Sequence, residues 1–205
     1  MSSQHPSENP LDIVCRRDRQ LDAVRKKVGE PLPWTRPPTF ATLTRIILEQ
    51  QVSLASAKST FDRLKKQCGG VINAKRILRL TDEDLRGCGL SRQKARYVNL
   101  LAEDVRQRRF SISTLAEMDD EAVRESITAR IGLGDWTADI FLLMALRRED
   151  ILPIGDLALV KGIQELDPAV GSSVEEIVER AEIWRPYRSA ATKMIWTLYL
   201  FNRKR

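Results

Sequence analysis

Apolar residues in this chain recur at helical spacing almost from end to end, and the alternation that would build a half-buried strand is nearly absent. Neither Asn-Gly nor Asp-Gly occurs to turn a β-hairpin, and no evenly spaced short strands can be traced. The expected fold is therefore all-α, with about ten short helices. Punctuation residues mark where they begin and end. Leu11 to Val28 reads as one helix stopped by Gly29 and Pro31, and the four prolines of "EPLPWTRPP" exclude a helix there. Thr39 is placed to cap "FATLTRIILEQQ", and "SLASAKSTFDRLKKQC" runs on to Gly69-Gly70. Thr81-Asp-Glu-Asp starts a short helix, and Ser91 is placed to cap "RQKARYVNLLAEDVRQR". Asp119 or Asp120 opens a helix running into Ile131, Ser173 with Glu176 fits a capping box, and Pro186 opens the last helix. Residues 1–10 are polar and read as a flexible tail, leaving 11–205 as the folded core.

Composition removes several kinds of chemistry. The only histidine is His5, in that tail, so Ser-His-Asp and Cys-His nucleophiles and His-based metal sites are not expected. Cys15, Cys68 and Cys88 are odd in number and lack metal-ligand spacing, which suits reduced thiols in a cytoplasm. The longest apolar runs, such as Ile140 to Leu146, are too short to cross a bilayer, and the polar N-terminus lacks the apolar region of a signal peptide. No membrane association is expected, and the expected compartment is the cytoplasm, at the nucleoid if the source is bacterial. Lys and Arg number 34 against 28 Asp and Glu, a net charge of +6 carried mostly by Arg. Arg's planar fork suits phosphate, but a solvated basic surface with no partner satisfies the same count.

One stretch calls for a tighter explanation. "IGLGDWTADIFLLMAL" places Gly132 and Gly134 just ahead of a helix, and "ILPIGDLALVKG" then places Asp156 just ahead of another. Two helices joined so closely need residues that accept positive φ, the expected task of both glycines. The turn would present backbone N–H groups of the next helix start, a ready phosphate site. An ordinary αα-hairpin satisfies the same glycines, and Asp156 could be only an N-cap, worth about 1 kcal/mol.

Together these segments resemble the helix-hairpin-helix and Gly/Pro-Asp signature of the DNA glycosylase superfamily. "RIILEQQVSLASAKSTFDRL" and "WRPYRSAATKMIW" resemble the matching helices of 3-methyladenine DNA glycosylase II enzymes, so the likeness runs from about Arg36 to Asn202. It departs in leaving no room for those enzymes' N-terminal β domain. The resemblance implies two lobes with an active-site cleft between them: a central lobe over about residues 36–130, the hairpin over about 123–147, and terminal helices completing the second lobe.

The resemblance also assigns roles. Asp156 becomes the catalytic aspartate, whose fixed charge stabilises the cation that develops on deoxyribose as the N-glycosidic bond breaks. Trp136 and Trp196 become aromatic walls of the base pocket, where a ring face attracts a cationic alkylpurine; core packing is their other reading. Ile140 stands at a pocket position that is aromatic in the relatives, and Phe40, with Trp34, lies where it would extend the pocket. Gln51 takes the position of the residue that intercalates into DNA, apolar in the relatives, with Ser53 beside it; a polar junction between two helices is the alternative. Gly132, Leu133, Gly134 and Thr137 would grip phosphate, joined loosely by Ser91, Arg92 and Lys94.

The Schiff-base lysine of the superfamily's lyases is replaced by Trp136, so a monofunctional glycosylase is expected. No Cys follows Trp184, so no iron–sulfur cluster is expected, nor any organic cofactor. The resemblance allows one Na⁺ or K⁺ at the backbone of Gly132 and Gly134. The expected partner is double-stranded DNA carrying an alkylated purine, 3-methyladenine foremost, acted on by a monomer. The rivals are a glycosylase for a deaminated or oxidised base, a non-catalytic DNA-binding module with the same hairpin, and a helical protein-interaction domain.

Overall fold

The computed structural model describes residues 8–203, and residues 1–7 of the expected tail, with His5, lie outside them. Twelve α-helices and two short 3-10 helices are present among the described residues, and no strand is. Helices α1 (Pro10–Arg17), α2 (Arg19–Val28), α3 (Phe40–Glu49) and α4 (Leu54–Gln67) are followed by the short α5 (Ala74–Ile77) and α6 (Asp82–Gly87). Then come α7 (Arg92–Arg106), α8 (Asp120–Thr128), α9 (Asp135–Met144), α10 (Leu157–Leu166), α11 (Val174–Ala181) and α12 (Arg188–Arg203). The 3-10 helices cover Ser113–Glu117 and Glu182–Trp184. No helix among the described residues is long and apolar enough to cross a membrane.

Most starts follow the side-chain oxygens that the sequence offers. Thr39, Ser53, Ser91 and Asp119 each accept a backbone N–H of the helix they precede. Thr81 with Asp84, and Ser173 with Glu176, close full capping boxes. Each such cap satisfies N–H groups that the helix cannot pair internally, worth about 1 kcal/mol.

Four boundaries differ from expectation, and one is the last helix, which begins at Arg188 and not at Pro186. The single helix expected over 11–28 is two, because Asp18 leaves helical geometry (φ −122°, ψ 100°) and caps α2 through Gln20 and Leu21 N–H. Residue 10, expected to lie in the tail, is instead helical: Asn9 caps α1 and Pro10 is its first residue, where a missing N–H does no harm. The helix before the glycines stops at Thr128 instead of running into Ile131.

The chain forms two compact units. Among the described residues, the first joins 8–35 to 147–203. Its core gathers Leu21, Leu159, Ile163, Trp184, Met194 and Ile195, with α10 and α2 both packed on α12. Gly162 permits the close approach of α10 to α12, because a Cβ there would lie 2.4 Å from Ile195 Cγ2. Asp18 ties the unit's two chain segments together. Its Oδ2 accepts from Arg180 Nη2 at 2.7 Å and from the buried Trp184 Nε1 at 2.8 Å.

The second unit spans residues 36–146. In it α3 packs on α4, α7 and α9, and α8 packs on α9. Ile46, Ile47, Val98, Val123, Ile127 and Phe141 are fully buried. Glu49 is also buried, and it is satisfied by a bidentate pair with Arg36, both bonds 2.8 Å, and by Arg45 Nε at 3.2 Å. Removing one partner from such a buried pair costs about 3–5 kcal/mol, because a charge is left uncompensated.

Candidate active site and DNA-binding hairpin

Asp156 sits on the tight turn Leu152–Gly155, whose backbone closes through Ile154 N–H to Leu152 O (2.9 Å) and Asp156 N–H to Pro153 O (2.8 Å). It is the N-cap of α10 and half-buried, and its Oδ1 accepts Leu159 N–H at 2.8 Å. The same oxygen accepts Trp196 Nε1–H at 3.0 Å from α12. Two fixed donors therefore hold one carboxylate oxygen in place. Trp196 is only 4% exposed and meets Trp34 edge-on, ring centroids 5.1 Å apart at 63°. Trp34 is held there by the proline-rich stretch, which Leu32 N–H anchors to Thr197 Oγ1 at 3.3 Å. The first unit thus presents a carboxylate backed by a pair of indoles. A carboxylate so placed is chemically suited to stabilise a positive charge brought beside it.

The first turn of α12 is laced to the strand of chain ahead of Asp156. Ser189 Oγ donates to Arg148 O (2.7 Å) and accepts Ile151 N–H (3.0 Å), while Arg188 grips Asp150 through two side-chain bonds of 2.6 and 3.0 Å. These bonds set the register of the Asp156 turn against α12 and so the reach of Trp196 to Asp156.

In the second unit α8, the turn at 129–134 and α9 form the helical hairpin, braced by Arg124 Nε to Asp139 Oδ1 at 3.0 Å. Gly132 has φ +86°, and a Cβ on it would fall 2.2 Å from Tyr97 Cγ, so both backbone and ring demand glycine. Gly134 corrects the expectation of two positive φ angles. Its φ is −102°, an extended backbone open to any residue, and a Cβ there would meet nothing within 4 Å. Gly134 is instead the N-cap of α9 and offers no side-chain oxygen to its first turn. No side chain caps the start of α9, and a Cβ at Gly134 would meet open space.

Leu133 and Thr137 are buried beneath this turn, at 3% and 1% exposure, so an approach to them is through backbone. Thr137 Oγ1 already receives Gln50 Nε2–H at 3.1 Å. Gln50 Nε2 also donates to Gly132 O at 3.0 Å, and Gly134 O accepts Ala138 N–H at 3.1 Å. Each glycine carbonyl thus accepts one N–H and keeps a second lone pair.

Gln51 is exposed in the turn between α3 and α4, with φ +54°, a conformation that costs a non-glycine residue about 1–2 kcal/mol. Ser53, also exposed, is committed to capping α4. Ser91 caps α7, with Arg92 as its first residue. Lys94 turns inward: its ammonium donates to Leu48 O and Gln50 O, both at 2.8 Å, and burial pushes its pKa down. A cavity of about 410 Å³ lies here, lined by Gln50, Gln51, Gln93, Lys94, Tyr97 and Gly132 among others. Of the other expected pocket residues, Trp136 is half-buried on α9, Ile140 is buried on the same helix, and Phe40 is buried at the start of α3. These three belong to the second unit, whereas Asp156, Trp196 and Trp34 belong to the first.

Sequence reasoning missed Gln50 and Tyr97, and it gave Lys94 a solvent-facing task. Gln50 carried a faint signal as the twin of Gln51. Tyr97 carried none, since its packing on Gly132 joins positions far apart in the chain.

Residues 44–186 match the family described as the HhH-GPD superfamily of base excision DNA repair proteins. An alkylbase DNA glycosidase-like protein of Schizosaccharomyces pombe is 27% identical over 91% of this chain and 91% of its own. The crystal structure of a DNA-3-methyladenine glycosidase from Bacillus halodurans has a TM-score of 0.77 at 28% identity, covering 100% of this chain and 94% of that one. The 3-methyladenine DNA glycosylase Mag1 of Schizosaccharomyces pombe, in complex with abasic DNA, has a TM-score of 0.79 at 25% identity, covering 91% and 94%. With the hairpin of α8 and α9 followed by a capped aspartate, and with the family match spanning most of its length, the chain belongs to the HhH-GPD superfamily of base excision DNA repair proteins.

Proposed function

We propose that this protein is a DNA glycosylase that hydrolyses the N-glycosidic bond of alkylated purines, 3-methyladenine foremost, in double-stranded DNA. The observation that carries this reading is Asp156, a half-buried N-cap whose Oδ1 is fixed by Leu159 N–H and Trp196 Nε1–H beside the Trp34–Trp196 pair. A base inside a duplex must be extruded before its sugar bond can be reached. Gln51 on its exposed turn is the residue suited to fill the gap, and the open α9 start at Gly134 is suited to hold the backbone phosphate. As the bond to an alkylated, cationic purine breaks, its electrons leave with the base, which departs neutral. Positive charge then passes to the deoxyribose, where the Asp156 anion stabilises it. Water adds to C1′ and loses a proton, leaving an abasic site. Because the base is already cationic, a strong general acid is not required.

Support for the alkylpurine choice comes from the indole faces near the carboxylate and from the names of three similar proteins. The position after Gly132-Leu-Gly-Asp is Trp136, so the reaction ends at the abasic site without strand cleavage. The compartment proposed is the one that holds the genome: the cytoplasm in a bacterium. The test is purified protein on duplexes carrying one defined lesion each. Release of methylated purines with the strand left intact is expected. Activity confined to hypoxanthine or 8-oxoguanine would replace the substrate, and salt-sensitive binding without any release would make the protein a non-catalytic DNA-binding module.

A further inference from the structure

The turn carrying Gln51 and the glycine hairpin are bonded to one another by a residue that neither motif includes. Gln50 ends α3, and its Nε2 donates to Gly132 O at 3.0 Å and Thr137 Oγ1 at 3.1 Å. The amide can face only this way, because a carbonyl oxygen accepts and never donates. The main-chain carbonyl of the same residue, with that of Leu48, receives the Lys94 ammonium, both at 2.8 Å. Lys94 sits in the first turn of α7, and one turn further on Tyr97 lays its ring against Gly132. Three connections therefore converge on the two turns: an amide, a buried cation and an aromatic ring.

We infer that Gln50 and Lys94 are positioning residues that lock the Gln51 turn to the hairpin, so that base extrusion and phosphate grip occur on one rigid support. The inference rests on the reading of Gln51 as the residue that enters the helix. Its physical basis is the strain at Gln51. A positive φ at a non-glycine residue persists only where neighbours over-determine it, and the bonds to Gln50 and Leu48 carbonyls are what does so here. Without them the turn relaxes, and Gln51 no longer stands at a fixed height above the bound phosphate. The role is indirect: neither side chain has to touch the reacting atoms. Lys94 meets this demand despite the desolvation that lowers its pKa, because two carbonyl dipoles face its ammonium.

The test separates extrusion from chemistry. Gln50→Met keeps side-chain length and removes the donor; Lys94→Met removes the cation, and Lys94→Arg restores donors to the same carbonyls. Each protein is given the same alkylated purine, once fully paired and once opposite a mismatch, where unpairing is easier. A 2-aminopurine beside the lesion reports unstacking by fluorescence. Single-turnover release from the paired duplex should fall roughly 10-fold in both Met variants, with a change of no more than about 2-fold on the mismatched duplex. Lys94→Arg should recover most of the loss. Equal losses on both duplexes, or none on either, would overturn the inference. If the wild type releases no base, the proposed function fails, yet the fluorescence arm still decides this point. Unstacking by the wild type that is lost in the Met variants supports the lock, and identical unstacking sinks it. A melting curve of each variant identifies any that fails to fold; the other residue's measurements, from the Lys94 series or from Gln50→Met, then carry the decision.

Discussion

Trp196 donates its indole N–H to Asp156 Oδ1 at 3.0 Å, and the same oxygen caps α10 through Leu159 N–H at 2.8 Å. One carboxylate oxygen thus joins a helix start to an aromatic wall. The first bond orients the carboxyl plane relative to the indole pair and resists rotation of the side chain.

Replacing Asp156 by Asn separates these roles. Asn caps helices about as well as Asp, so the melting temperature should hold within a few degrees. Base release should fall by about 100-fold or more, since a fixed anion facing a developing cation is lost. Single-turnover release and a gel-shift titration, run together, check that DNA binding survives while turnover does not.

Trp196→Phe keeps an aromatic ring against Trp34 and removes only the donor to Asp156. Release should drop by roughly 10-fold, the cost of one hydrogen bond to a charged group. The loss should appear in kcat and spare KM; a variant with raised KM and unchanged kcat would assign Trp196 to base binding alone.

The two hairpin glycines should part company. Gly132→Ala forces a Cβ into the Tyr97 ring at φ +86°, which should destabilise the fold by about 2–4 kcal/mol in a urea titration. Gly134→Ala meets open space at an ordinary φ and should leave stability within about 1 kcal/mol, while weakening DNA binding by crowding the start of α9. Equal stability for both alanine variants would contradict the Tyr97 contact.

Acid should loosen α11 through its capping box. The hydroxyl and then the backbone N–H of Ser173 hold the Glu176 carboxyl below its usual pKa. A folded pKa below the unfolded one gives stability that is present above the unfolded value, near 4.5, and is lost as pH falls through the folded value. Glu176→Gln should therefore flatten the fall of melting temperature between about pH 5 and 3, lowering it modestly at pH 7 and converging on the wild type near pH 3. A wild-type slope retained in the variant would place the acid sensitivity elsewhere, with Thr81 and Asp84 the next box to test.

Wild-type protein incubated with damaged DNA and borohydride should form no covalent adduct, because Trp136 stands where a Schiff-base lysine would have to be. A trapped species on a denaturing gel would reveal another amine at work, and the monofunctional reading would fall.

What the sequence alone determined is local. Helices begin where Thr39, Ser53, Thr81, Ser91, Asp119, Asp156 and Ser173 offer an oxygen to backbone N–H groups two or three residues ahead, and such bonds depend on nothing distant. The glycine hairpin and the capped aspartate were legible for the same reason. Tertiary structure decided whatever required two distant segments to meet. Asp18 breaks the first helix because Arg180 and Trp184, some 160 residues on, reward its carboxylate for turning inward. Gly132 answers to Tyr97, Lys94 to the carbonyls that end α3, and Asp156 to Trp196, and no spacing rule encodes those pairings. A side chain's hydrogen-bonding capacity is written in its identity, but the choice of partner is settled only when packing brings one donor, rather than solvent, within 3 Å of one acceptor.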